Sequence, residues 1–304
     1  MESTSPLISV IIPAFNAELY IKEALESVCS QTYVNLEIII IDDGSSDRTR
    51  EIIEKFQDAR IRLISRENRG LIATLNEGIE ISRGDYIARM DADDICLSTR
   101  LETQVEYLRK HNNIGLLFTG IECIDENGRK LREKVSTKSR KLEPVELLFG
   151  CPVCHPTVMF DMTKLKKSDI QYDKAYCLAE DFELWTRLVS ITEIGIINKV
   201  LFKYRIHPNS ITSKNNEKQR IVATRAVKEN MIMSHQFSDN QYFFTIYNNH
   251  LGDESRFKTL HSLAYVALNL KKLNKKFNYR KYFSKSYYLF RDKIRKKNNK
   301  LIRG

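Results

Sequence analysis

The sequence predicts an α/β fold, a mostly parallel sheet with flanking helices, followed by a C-terminal helical extension. Three observations carry this reading. Short, almost wholly apolar runs alternate with helix-period segments through the first 110 residues. The runs are too continuous for strands with one wet face, so they belong to a sheet buried on both sides. From about Asn216 onward the apolar residues recur at helical spacing and strand patterns cease.

The elements follow in order. Leu7 to Ile12 is a strand that Pro13 ends, and Ile21, Leu25 and Val28 mark one face of a helix. Leu36 to Ile41 is a second strand. Asp47 can cap the next helix, whose apolar positions are Ile52, Ile53 and Phe56. Ile61 to Ile64 is a third strand, Leu71 to Ile81 a helix, and Gly84 turns the chain into a fourth strand over Tyr86 to Met90. Such β-α-β order implies a largely parallel, helix-covered sheet, with ligands at the carboxyl ends of the strands. After a helix over Leu101 to His111 the pattern is less regular. Short strands are expected near Ile114 to Thr119, a hairpin turn at Asn127-Gly128, helices over Pro144 to Phe149 and Phe182 to Val189, and strands within Ile194 to Tyr204. The later helical positions include Ile221, Val222, Val227, Met231, Leu260, Leu263, Ala264, Ala267 and Leu268.

Length and composition narrow the function classes. The 304 residues, 42% hydrophobic and 29% charged, suffice for a sizeable core and exclude wholesale disorder. No apolar run approaches the roughly 18 residues of a membrane span, and the polar start Met1 to Pro6 is unlike a signal peptide. A cytoplasmic protein is expected. The net charge of +10 is uneven, because Lys271 to Gly304 holds 14 Lys or Arg against the single Asp292. The six cysteines form no disulfide framework. Cys151 and Cys154 make one C-x-x-C without the second pair a structural zinc site needs, so free thiols in a reducing compartment are expected.

Chemistry gathers at two strand ends. The second strand runs into Asp42-Asp43-Gly44-Ser45-Ser46-Asp47, and the fourth into Asp91-Ala92-Asp93-Asp94. Carboxylates crowded there are costly unless a cation or a hydrogen-bonding ligand offsets them. Asp-x-Asp offers hard oxygen ligands suited to Mn²⁺ or Mg²⁺. The bland alternative is that these acids cap helices and loops.

Four segments stand in order at βα spacing: Pro13-Ala14-Phe15-Asn16, Asp42 to Asp47, Glu67-Asn68-Arg69-Gly70 and Met90 to Asp94. Downstream come His155 to Phe160, Ala179-Glu180-Asp181-Phe182-Glu183-Leu184-Trp185 and Tyr204 to Ser210. Together these resemble the inverting family 2 glycosyltransferases of the GT-A fold, in particular bacterial enzymes that build surface polysaccharides. The resemblance covers about residues 6 to 213. It implies a GT-A catalytic domain over 1–213, with a nucleotide-binding half at about 6–110 and an acceptor half at about 111–213. Residues 214–304 form a helical, basic C-terminal region outside it.

The resemblance also implies roles. Pro13, Phe15 and Asn16 would lie against the nucleoside. Asp43, helped by Asp42, would accept a hydrogen bond from a pyrimidine N–H, and a carboxylate can only accept. Asn68, Arg69 and Gly70 would approach the base and diphosphate. Asp91 and Ala92 would border the ribose. Asp93 would hold the Mn²⁺ or Mg²⁺ ion, with Asp91 or Asp94 as further ligands and His207 within reach of it, His207 being equally readable as a structural histidine. Asp181, with Glu180 beside it, would be the general base for the acceptor hydroxyl. Glu180 and Asp181 are otherwise readable as acidic residues at a helix N-terminus, and Trp185 as core.

The expected activity is metal-dependent inverting transfer of a sugar from a nucleotide-sugar, a UDP-sugar first among them, to a hydroxyl of a growing surface glycan, lipid-linked or not. The alternative is a non-catalytic nucleotide-sugar- or glycan-binding relative. A nicotinamide enzyme is excluded, since no Gly-x-Gly-x-x-Gly follows the first strand. No Gln-x-x-Arg-Trp follows Trp185, and processive relatives carry that segment, so transfer of one sugar is expected. The aromatic-interleaved basic stretch 271–304 suits contact with an anionic membrane surface at the inner face of the cell membrane. Packing back on the domain is its second reading, and nucleic acid is not an expected partner.

Overall fold

The computed structural model describes residues 5–207, 216–231, 261–264, 280 and 282–287. Contacts divide the chain into two compact units. The first comprises 1–142, 153–174 and 188–210, and the second 143–152, 175–187 and 211–304.

One sheet organises the first unit. Its strands are β1 (Ile8–Ala14), β2 (Leu36–Asp42), β3 (Ile61–Ser65), β4 (Tyr86–Arg89), β5 (Ile95–Cys96), β6 (Ile114–Ile124), β7 (Lys130–Lys134), β8 (Arg140–Lys141), β9 (Met159–Asp161) and β10 (Glu193–Arg205). The order across it is β3-β2-β1-β4-β9-β6-β10-β5, with β7 on β6 and β8 on β10. The longest ladders, β1 with β2 and β6 with β10, are parallel. Shorter β9 runs antiparallel between β4 and β6. Every residue of β1 and β2 is buried, as strands covered on both faces must be.

Helices α1 (Ile21–Cys29), α2 (Thr49–Glu54), α3 (Leu71–Ile81) and α4 (Arg100–Lys110) cover this sheet. Helix α1 buries Ile21, Ala24, Leu25 and Val28 at the spacing of one helical face. They join Val10, Ile38, Leu101, Val105 and Phe202 in the core cluster.

Several details depart from the sequence pattern. Strand β1 runs through Pro13 to Ala14, because the β4 ladder stops at Ile11 opposite Arg89. Beyond that point the missing Pro13 N–H costs no pairing on the β4 side. The irregular stretch near Ile114 is one strand of 11 residues, and β10 is one of 13 with register shifts. Asp47 accepts the Thr49 amide at 2.9 Å and the Glu18 amide at 3.1 Å, but Arg48 is the residue at the α2 N-cap. At the hairpin, the Asp125 carboxylate accepts the amides of Asn127 and Arg129.

The second unit carries α5 (Pro144–Leu147), most of α6 (Glu180–Leu188), α7 (Asn216–Ala226) and a π-turn over Val227–Met231. Asn230 donates to Glu183 Oε1 and Thr186 Oγ1, each at 3.0 Å, which ties the π-turn to α6. Trp185 is fully buried and belongs to the core. The Tyr282 hydroxyl donates to the Leu263 carbonyl at 2.7 Å. The expected boundary near Ser213, the helical positions Leu260, Ala267 and Leu268, and the basic stretch 271–304 apart from 280 and 282–287 lie outside the described residues. No helix among the described residues is long and apolar enough to cross a membrane.

Candidate active site at the carboxyl ends of the strands

Parallel strands β2, β1 and β4 are neighbours, so their carboxyl ends present three loops along one edge of the sheet. The β1 loop is pinned to the β2 loop. Asn16, at φ +48°, accepts from the Ser46 amide at 2.9 Å, and its own amide donates to Ser45 Oγ at 2.9 Å. Pro13 is buried in β1, whereas Phe15 next to Asn16 is 53% exposed and presents an open aromatic face.

Asp42 and Asp43 are both buried, and their hydrogen bonds separate them. Asp42 is spent on its own loop, since one oxygen accepts the Ser45 amide at 3.1 Å and the other the Ser65 hydroxyl at 2.8 Å. Asp43 spans to the start of α3. Its Oδ1 accepts the Arg69 amide at 2.8 Å and pairs with Arg66, while among the described residues Oδ2 accepts only the Gly70 amide, at 2.9 Å. A carboxylate oxygen has two lone-pair directions, so Oδ2 keeps one for a further donor. Gly70 sits at φ +84°, a conformation that favours glycine. The side chains of Asn68 and Arg69 are exposed.

Arg66 holds this arrangement and was not singled out by sequence. Its guanidinium also donates to Glu77 at 2.7 Å, the Glu67 carbonyl at 2.9 Å and Thr74 Oγ1 at 3.0 Å. The available signal was its position one residue before Glu67-Asn68-Arg69-Gly70.

The loop after β4 gathers three carboxylates. Asp91, Asp93 and Asp94 each present an oxygen within 4.8 Å of the others. Asp91 pairs with buried Arg89, and Ala92 is buried between the acids. Asp93 Oδ2 lies 2.9 Å from His207 Nε2. Asp94 is 1% exposed; its Oδ1 accepts the Arg205 amide at 2.8 Å, and its Oδ2 has no hydrogen-bond partner among the described residues. Burial first, then the charges of Asp93 and Asp91, push the Asp94 carboxyl well above the usual carboxylate range. An unsatisfied buried oxygen among three converging hard ligands fits a divalent cation, whose charge offsets that repulsion.

Arg205 secures this loop. It is 3% exposed and donates to the Asp93 carbonyl at 2.8 Å, the Asp125 and Glu126 carbonyls at 3.3 and 3.2 Å, and Glu23 at 2.6 Å. Its guanidinium also stands 4.5 Å over the Tyr20 ring. Within the first unit the structure thus joins Asn16 to the β2 loop, Asp43 to Arg69 and Gly70, and Asp93 to Asp91, Asp94 and His207.

Glu180 and Asp181 belong to the second unit and form the start of α6, where both are half-buried. The Phe182 amide donates to Asp181 Oδ1 at 2.7 Å, so the positive helix end faces the carboxylate. Leu178, two residues before the helix, takes φ +80°, which is strained for a branched side chain.

Known proteins are similar to this chain. A family model described as Glycosyl transferase family 2 matches residues 9–166. The glycosyltransferase MJ1057 of Methanocaldococcus jannaschii is 34% identical over 253 residues, 81% of this chain and 87% of that protein. The Escherichia coli UDP-Glc:alpha-D-GlcNAc-diphosphoundecaprenol beta-1,3-glucosyltransferase WfgD is 33% identical over 210 residues, 68% of this chain and 80% of its own. Among solved structures, S. aureus TarS in complex with UDP-GlcNAc aligns with a TM-score of 0.64 at 20% identity, over 82% of this chain and 74% of that one. The large mixed sheet with its flanking helices is the GT-A fold that TarS has.

Proposed function

The chain belongs to glycosyl transferase family 2, and on that premise we propose that it transfers one sugar from a UDP-sugar, in a cation-dependent and inverting reaction, to a hydroxyl of a lipid-linked glycan. The observation that carries the proposal is the convergence of Asp91, Asp93 and Asp94 at the strand ends, where Asp94 Oδ2 has no partner among the described residues. WfgD, whose name specifies a UDP-sugar donor and a diphosphoundecaprenol-linked acceptor, supports the choice of substrates.

Each side chain then has a task. Asp43 Oδ2 takes the pyrimidine N–H with its remaining lone pair, and Arg66 fixes the direction of that lone pair. Phe15 covers the base and Asn16 holds the loop beneath it, while Pro13 lies buried near the end of β1. Asn68, Arg69 and Gly70 line the diphosphate approach, and Asp91 and Ala92 the ribose. Asp93, Asp91 and His207 hold the cation, with Asp94 behind them. Mn²⁺ or Mg²⁺ there supplies Lewis-acid neutralisation of the departing nucleoside diphosphate. Asp181, ionised at a helix N-terminus beside Glu180, takes the proton of the acceptor hydroxyl as that oxygen attacks C1 from the face opposite the leaving group.

In functional terms 1–213 is the catalytic segment, with a nucleotide half at about 6–110 and an acceptor half at about 111–213, and 214–304 is its basic extension. That extension brings the enzyme to anionic lipid at the inner face of the membrane. Phe283 and Tyr287, one helical turn apart, are 59% and 64% exposed, as an interfacial helix face requires.

The test is a pair of variants. Asp181→Asn abolishes transfer and spares donor binding, whereas Asp93→Ala weakens both. Normal turnover by Asp181→Asn removes the proposed base.

A further inference from the structure

The second unit contains a cavity that none of these roles uses. Its volume is about 450 Å³, and its lining includes Glu146, Phe149, Pro152, Gln219, Arg220 and Lys285. That size falls within the roughly 300–1,000 Å³ of small-molecule sites.

The charges in it are unequally committed. Glu146 is 2% exposed, and its carboxylate accepts the Glu143 amide at 3.1 Å and faces the Lys285 ammonium at 3.6 Å. A buried carboxylate needs such partners, so Lys285 is held mainly as its counter-ion. Arg220 differs. It is half-buried, and its guanidinium has no hydrogen-bond or ion-pair partner among the described residues; the same holds for the Gln219 amide. A guanidinium that gives up part of its hydration without gaining an acceptor is unfavourable unless a ligand completes it. Two cations against one carboxylate also leave the cavity one positive charge in excess.

We propose that this cavity binds a phosphate or diphosphate group. The planar fork of Arg220 matches two oxygens of such a group, the Gln219 amide donates a further bond, and Lys285 shares its charge between Glu146 and the ligand. Exposed apolar side chains accompany the cations in the chain: Ile221, 53% exposed, follows Arg220, and Phe283 and Tyr287 flank Lys285. Cationic and apolar groups together suit an amphiphile, a diphosphate carried on a lipid. Identifying it as the sugar acceptor rests on the glycosyltransferase reading above.

The experiment measures binding to the full chain in EDTA, which disfavours metal-assisted binding of the probes in the nucleotide site, and UDP affinity is measured separately with Mn²⁺. The probes are inorganic pyrophosphate and a short-prenyl diphosphate sugar. Arg220→Gln should weaken binding roughly tenfold, the loss of one charged hydrogen-bonding group, while Arg220→Lys loses no more than about threefold and UDP affinity is unchanged in both. Because the Arg220 guanidinium has no partner among the described residues, neither variant removes a described contact that holds the fold. Tighter binding of the prenyl probe than of pyrophosphate assigns the site to a lipid-linked ligand, and equal binding assigns it to a free phosphate compound. Wild-type protein that binds neither probe, or Arg220→Gln with wild-type affinity for both, overturns the proposal. Absent UDP binding in the wild type with Mn²⁺ present would instead count against the glycosyltransferase reading.

Discussion

Arg205→Ala removes the group that joins the acidic loop to the rest of the first unit. The guanidinium donates from Nε at 2.8 Å to the Asp93 carbonyl and from Nη1 to the carbonyls of Asp125 and Glu126. Its pair with Glu23 is discounted, because that carboxylate is 54% exposed and rehydrates. Charge-assisted bonds from two of its nitrogens to part-buried acceptors, at about 1.5–2 kcal/mol each, and loss of the Tyr20 contact, at about 0.5–1 kcal/mol, total about 4 kcal/mol. With a urea m-value of about 3 kcal/mol/M, the unfolding midpoint falls by about 1.3 M. Arg205→Lys keeps the charge but not the fork, and should lose about half as much. Equilibrium urea unfolding followed by circular dichroism reads both. A fall under about 0.3 M for Arg205→Ala would show that the loop is held by something other than this guanidinium.

Other perturbations separate further parts of the account. A Cβ at Gly44 would stand 2.7 Å from the Asn68 amide nitrogen, in a residue at φ +78°. Gly44→Ala therefore displaces backbone beside Asp43 and should weaken UDP binding at least about tenfold, the effect of roughly 1.4 kcal/mol; unchanged affinity by calorimetry contradicts that geometry. Of the six thiols, Cys151 and Cys177 are exposed, whereas burial and the Asp58 carboxylate raise Cys29 to about 12. A thiol reagent at pH 8 should label two cysteines quickly, and a third fast site would refute the assignment. The hydrogen bond and charge of Arg60 hold Asp58 below the usual carboxylate range. Its folded pKa is below its unfolded one, so its contribution is present above about pH 4 and is lost as pH falls through the folded value. Asp58→Asn should cost about 1–2 kcal/mol at pH 7 and flatten the acid limb of the stability curve; an unaltered limb would show that the pair is not the cause.

The parts legible in the sequence were those that local pattern determines. The continuous apolar runs of β1 and β2 and the helical stripe of α1 each reflect burial that neighbouring residues in the chain decide together. Strand ends were harder. Whether Pro13 ends β1 depends on where the β4 ladder stops, which lies in another segment. Helix α6, expected from Phe182, starts at Glu180, so both acids fall in its first turn. In the site, the acidic strand ends were visible as motifs, but their supports were not. Arg205 reaches Glu23 across 182 residues, and Arg66 reaches Asp43 across 23. Long side chains that bridge distant elements leave no periodic trace. The division between Asp42 and Asp43 was equally hidden, since it depends on which amides the fold delivers to each carboxylate.

The most direct test of catalysis at the acidic strand ends is nucleoside diphosphate release from a panel of UDP-, GDP- and dTDP-sugars. It is run with Mn²⁺ and with EDTA, in the presence of a short-prenyl diphosphate sugar as acceptor. Turnover of one UDP-sugar that requires both the metal and the acceptor is expected. Equal turnover in EDTA, or no binding and no turnover of any donor, would contradict it.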